Sequence, residues 1–242
     1  MSHSNTGHLH WDHRDGRVAA VVAAVVYSMW ALEVVFPVGL GSDTGALADP
    51  ASTFGRMLES AHRTAAILVV LAAGLGLALG AERPRRLLTI SWWSMIVFGV
   101  ASLASSLSPG RCVVSTDAAC AVESVMEGVD GVSVVQPPLA VVATLAALVA
   151  SAALTRDRHL AGERSWLVLA LITAAQAVSA VVVLVLAAGL YLSAGDGSPG
   201  VALGLAERLH LVTVALWLLA VGLVPGHWKR RRGRLRAPER LS

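Results

Sequence analysis

Charge is scarce in this chain: Asp, Glu, Lys and Arg make up 14% of its 242 residues. That is too little to coat a soluble domain of this size, whose usual share is about 25%. Cysteine is scarcer still, with only Cys112 and Cys120, so a disulfide framework is excluded as the organising principle. Phosphate-cradling glycine loops and nucleophile elbows are absent, which leaves no motif for soluble nucleotide or ester chemistry. No internal repeat relates the two halves, although an inverted duplication would be allowed by three helices in each.

What is abundant is apolar sequence, 55% of the chain. It falls into runs of roughly 20 residues, the length that crosses a ~30 Å hydrocarbon core as a helix. Six runs stand out, at about 18–40, 61–80, 87–107, 137–154, 166–192 and 203–224. The expected fold is therefore all-α, a six-transmembrane-helix bundle over residues 18–225, with a polar tail at 1–17 and a basic tail at 226–242. Membrane lipids are its first partners. Ala46-Leu47-Ala48 has the look of a signal-peptidase site, but it follows a run too long for a signal segment, so the first helix reads as permanent.

The net charge of +3 hides an asymmetry. With both termini in the cytoplasm, 15 of the 19 basic residues fall on the inner side, and only Arg56, Arg63, Arg111 and Arg208 on the outer. This is the positive-inside pattern, and six helices independently require both ends on one side. The basic balance thus reports topology in a bacterial inner membrane and points to no nucleic acid. The run from Lys229 to Arg236 reads as an anchor after the last helix that can also attract anionic lipid.

Within the first run lies Glu33. A carboxylate in hydrocarbon costs ~2.5–3.5 kcal/mol on insertion scales, so it is expected to face the bundle interior and meet a partner. Tyr27, Trp30 and Glu33 recur every third residue and share a face. Topology brings Glu59, His62 and Arg63 to the mouth of the second helix, beyond an outer loop at 41–60, and Glu207, Arg208 and His210 to the outer end of the sixth. Arg63 or Arg208 is the expected partner of Glu33, and Trp217 lies further down the sixth helix.

Smaller features have bland readings. Ala72, Gly76 and Gly80 form a small-residue ridge for close backbone packing. Trp92 and Trp93 fit an interfacial aromatic belt. Gln176, near mid-depth, is expected to hydrogen-bond between helices. Cys112 and Cys120 sit in an outer loop at 108–136, an oxidising location that favours a disulfide. His3, His8, His10 and His13 have the side chains to hold zinc, copper or nickel, but without a fixed geometry they read as a polar tail. No metal or cofactor is assigned.

Three motifs, Tyr27-Ser-x-Trp30-x-Leu-Glu33, the Pro109-x-x-Cys112 to Cys120 loop, and Gly204-Leu-Ala-Glu-Arg208 followed by Leu216-Trp217-Leu218, resemble the six-helix bacterial membrane proteins known as domain of unknown function 998. The resemblance spans most of the helical core and implies a six-helix fold in an actinobacterial inner membrane, with no activity to carry over. Related proteins have an acidic residue before the serine-proline segment and two histidines at the start of the fourth helix. Here those positions hold Ser105, Gln136 and Leu139, which weakens a metal-hydrolase reading.

Two classes of function follow from this. One is an outer-leaflet cavity between helices 1, 2 and 6 that takes a lipid or isoprenoid, with Arg63 or Arg208 on its polar group and Tyr27, Trp30 and Trp217 along its chain. The other is a membrane-embedded acid–base enzyme of cyclase or isomerase type, with Glu33 as proton donor, His62 and His210 beside it, and aromatic faces to stabilise cations. A small proton-coupled transporter or a structural subunit of a larger complex would also use an intramembrane acid.

Overall fold

The computed structural model describes residues 13–34, 52–79, 85–108, 135–192, 200–224 and 228. Among these the fold is all-α, with helices α1 (His13–Tyr27), α2 (Thr53–Ala78), α3 (Arg86–Leu107), α4 (Gln136–Leu160), α5 (Trp166–Leu192) and α6 (Gly200–Leu223). A 3-10 helix, Ser28–Val34, continues directly from α1. Each helix packs on the next, and α6 returns to α1, so the six close into a ring. All six segments are long and apolar enough to cross a membrane.

The distribution of polarity is that of a membrane bundle. Large apolar side chains such as Leu71, Leu145, Leu171, Leu184 and Leu216 point outward, while Glu33, His62, Ser102, Gln136, Gln176, Glu207 and His210 are buried. In lipid the outer surface meets hydrocarbon and each polar group must be satisfied inside. The fold is accordingly that of a multi-pass membrane protein. Below, the end of the ring holding Glu33 and the start of α6 is called the Glu33 end, and the opposite end, holding the α4–α5 turn, the Arg158 end.

Several helices run longer than their apolar runs. α1 starts at His13, so residues 13–17 belong to the bundle rather than to a tail. α2 begins eight residues earlier than the sequence pattern suggests, at Thr53, because Ser52 caps it: the Gly55 amide donates to Ser52 Oγ at 2.9 Å. The buried spacing Phe54, Leu58, His62 carries its amphipathic first turns, so Glu59, His62 and Arg63 lie inside the helix and not at its mouth. α4 continues to Leu160 and ends on Gly162 at φ +69°, where the Gly162 amide bonds His159 O and the Glu163 amide bonds Arg158 O. That is the two-bond Schellman pattern, and it turns Glu163 back over Arg158.

The first span departs from a uniform α-helix. Beyond Tyr27 it tightens to 3-10 geometry over seven residues, Ser28–Val34, where Ser28 Oγ donates to Ala24 O at 2.7 Å. At three residues per turn, side chains three apart eclipse. Trp30 and Glu33 are therefore stacked more closely in line than an α-helix would allow. The expected continuation to residue 40 lies outside the described residues, as do the cysteines, the N-terminal histidines before His13, and Gly80.

Ring closure uses small residues and one arginine. Arg17 Nε donates to Gly222 O at 2.9 Å and its Nη2 to Leu223 O at 3.3 Å, covering the carbonyl end of α6. At the same end, Trp228 lies buried on Trp92, with ring centroids 4.9 Å apart, and donates to Val221 O. Position 228 thus belongs to the bundle and not to a basic tail. Trp92 is buried, while Trp93 is 56% exposed, so only the second fits an aromatic belt. Gly76 accommodates the Trp92 indole, so at this position the ridge on α2 receives a ring and not a neighbouring backbone.

True backbone proximity occurs at Gly99, where an added Cβ would lie 2.9 Å from Ala66 O and 2.7 Å from Val70 Cγ2. Gly99→Val is expected to destabilise the bundle by at least the ~1–3 kcal/mol typical of overpacking, because a main-chain atom must move. Gly74→Ala meets nothing within 4 Å. It is expected to be neutral or to stabilise by up to ~1 kcal/mol through helix propensity. Unfolding in mixed micelles would compare the two; equal effects would remove the α2–α3 contact as the cause.

Candidate functional site

The 3-10 helix delivers Glu33 to the interior, and α6 meets it with Arg208. Arg208 Nε donates to Glu33 Oε2 at 2.8 Å, and Arg208 Nη2 donates to Oε1. The pair is a fork on a carboxylate, the strongest geometry available to these groups. Glu33 is 5% exposed, so water contributes little to its solvation. The acid is answered as its chemistry demands, and the partner is Arg208.

Arg63 serves elsewhere. It bonds Glu59 one turn earlier on α2, and its Nη2 donates to Ser106 O at 2.8 Å, covering a carbonyl at the end of α3. Close by, Gln136 Nε2 donates to Ser105 O at 3.2 Å. Ser105 and Gln136 are thus neighbours across α3 and α4, joined by a neutral hydrogen bond.

One residue before Arg63, His62 turns towards α1. Its ring centroid lies 5.6 Å from that of Tyr27, which in turn lies 6.3 Å from Phe98. Val26, Tyr27, Met29, Trp30, Leu58, Ala61, His62 and Leu211 line a shallow open cleft between the first span, α2 and α6, with a cavity volume of only about 10 Å³. Sites that enclose a whole small ligand run to ~300–1,000 Å³. The cleft falls far short of that and offers a wall in place of an enclosure, aromatic and aliphatic with a polar edge from His62 and Tyr27.

His210 and Trp217 face away from this cleft. His210 Nδ1 is 2.9 Å from Ser179 Oγ on α5. Trp217 is fully buried, edge-on to Phe98 at 5.7 Å, and packs in the core instead of along the cleft. Glu207, next to Arg208, is also buried. The charged and histidine residues expected to converge at one mouth are instead divided among four places: Glu33 with Arg208, His62 against Tyr27, Glu59 with Arg63 over α3, and His210 against α5.

Two groups of polar residues go beyond the sequence expectations. Ser179 and Thr213 join α5 to α6 around His210, with 3.4 Å between their hydroxyl oxygens. At the Arg158 end, Arg158 Nη2 donates to Asp157 Oδ2 at 2.8 Å and Nη1 to Glu163 Oε1 at 3.0 Å, while Arg85 Nη1 reaches Asp157 Oδ2 at 3.3 Å. Arg158 is 1% exposed and Asp157 4%. Reading this stretch as a basic loop misses that burial; the glycine at 162, two residues past the helix, is the signal that would have extended α4 through it.

No family model, curated protein or solved structure matches this chain.

Proposed function

We propose that this multi-pass protein sits in a bacterial inner membrane with both termini in the cytoplasm, and that its cleft between the first span, α2 and α6 holds the apolar chain of a lipid or isoprenoid. The observation that supports this reading is the lining: Trp30, Tyr27 and Met29 on one side, Leu58, Ala61 and His62 on the other, with Leu211 at the base. In the positive-inside orientation the cleft opens in the outer half of the bilayer. The Glu33–Arg208 pair pins the 3-10 helix to α6 and so fixes one wall.

Acid–base catalysis has less support as a role for Glu33, since both its oxygens accept from Arg208. His62 is the titratable group that the cleft wall presents.

Lipid retention tests the binding reading. Full-length protein purified in mild detergent, with bound lipid and added polyprenol quantified by mass spectrometry, is expected to retain about tenfold less after Trp30→Ala, the loss of ~1.4 kcal/mol of contact. Ala61→Phe, which fills the cleft without removing a core side chain, is expected to have the same effect. Unchanged retention in both variants would end the proposal.

A further inference from the structure

The interior between α3, α5 and α6 holds more hydrogen-bonding atoms than its own side chains satisfy. Gln176 is completely buried, and neither atom of its amide makes a hydrogen bond. His210 Nε2, Ser102 Oγ and Trp217 Nε1 are likewise without partners, in residues that are 3%, 1% and 0% exposed. A buried donor or acceptor left unpaired costs ~1–3 kcal/mol. The interhelical bond expected of Gln176 is not made.

These atoms share a level. On α6, Glu207, His210, Thr213 and Trp217 recur at helical spacing and form one stripe running from the Glu33 end towards the middle. Ser179 contacts both His210 and Thr213, and Gln176 is one turn further along α5 towards the Arg158 end, opposite the stretch from Thr213 to Trp217. On α3, Phe98 meets Trp217 edge-on, and Ser102 is one turn nearer the Glu33 end, at the depth of Thr213. By helix register, three helices thus place buried polar atoms at one depth of the interior, with the Phe98–Trp217 contact beneath it.

We propose that this region is an internal water-binding site. Its five unpartnered atoms, two from Gln176 and one each from His210, Ser102 and Trp217, mix donors and acceptors. A buried water makes about three hydrogen bonds, so ~2 waters would satisfy them. None of the five belongs to a charged group, and the nearby Arg208 is already matched by Glu33, so the site suits a small neutral hydrogen-bonding molecule in preference to an ion. It is separate from the lipid cleft, which touches α6 at Leu211 on another face.

X-ray hydroxyl-radical footprinting of the full chain in nanodiscs, with water itself as the probe, tests the site. Oxidation at Trp217 and His210 is expected to run several-fold above that at Met95, which is also fully buried and carries the readily oxidised thioether. In Gln176→Leu, and separately in Ser102→Val, Trp217 oxidation is expected to fall towards the Met95 level. Wild-type oxidation of Trp217 and His210 no higher than Met95 overturns the proposal. So does undiminished Trp217 oxidation in whichever of the two variants purifies as a monodisperse species.

Discussion

Arg208→Leu is expected to destabilise the bundle by about 3–5 kcal/mol, the usual consequence of removing one partner from a buried ion pair. Glu33 would remain at 5% exposure with neither of its two Arg208 hydrogen bonds. Glu33→Leu alone should also destabilise, because Arg208, whose side chain is 11% exposed, loses the carboxylate its fork engages. The double variant is expected to recover most of either loss, because an apolar pair carries no desolvation penalty and such replacements are often neutral or stabilising by ~1–4 kcal/mol. Reversible unfolding of all four proteins in mixed micelles gives the coupling energy directly. Additive losses, with no recovery in the double variant, would mean that the two residues act on stability separately, and the account of the 3-10 helix as pinned to α6 would fail.

That pairing shows how far sequence reasoning reaches. An acid inside a 20-residue apolar run is expensive enough to demand a buried cation, and only two candidates, Arg63 and Arg208, lay at the right depth. Choosing between them needed helix phase: the α2 face that turns His62 to the first span turns Arg63 to α3. The six spans were equally legible, since hydrocarbon imposes its length on any helix that crosses it. Their ends were not. Ser52 and Gly162 set boundaries by local hydrogen bonds in polar stretches that a search for apolar runs passes over, and the switch to 3-10 geometry after Tyr27 falls inside an apolar run whose pattern does not mark it.

The depth of these residues was legible more than the way they face one another. Tyr27, Trp30 and His62 do share a cleft, and Glu33 does meet Arg208. His210 and Trp217 have the right depth but face α5 and α3, because position on a helix fixes height while side-chain direction depends on which neighbour each face meets. Gln136 settles onto Ser105 O, a contact between α3 and α4 that no spacing rule connects.

A second large effect is expected at the opposite end of the ring. Asp157→Ala should cost about 3–5 kcal/mol, because Arg158, at 1% exposure, would be left with Glu163 as its remaining ion-pair partner. The neighbouring charges should matter far less. Glu163 and Arg85 are 39% and 43% exposed, so Glu163→Gln and Arg85→Gln are each expected to cost only ~0–1 kcal/mol, an amount that salt screening reduces further. Burial, not the number of charges, therefore sets the ranking. If Arg85→Gln proves as damaging as Asp157→Ala in the same unfolding assay, the cluster holds the α2–α3 turn through its surface pair, and the buried Asp157–Arg158 contact is secondary. If the ranking holds, the ring is fastened at both ends by arginines, Arg208 by a fork onto buried Glu33 between α6 and the first span and buried Arg158 where α4 turns back into α5.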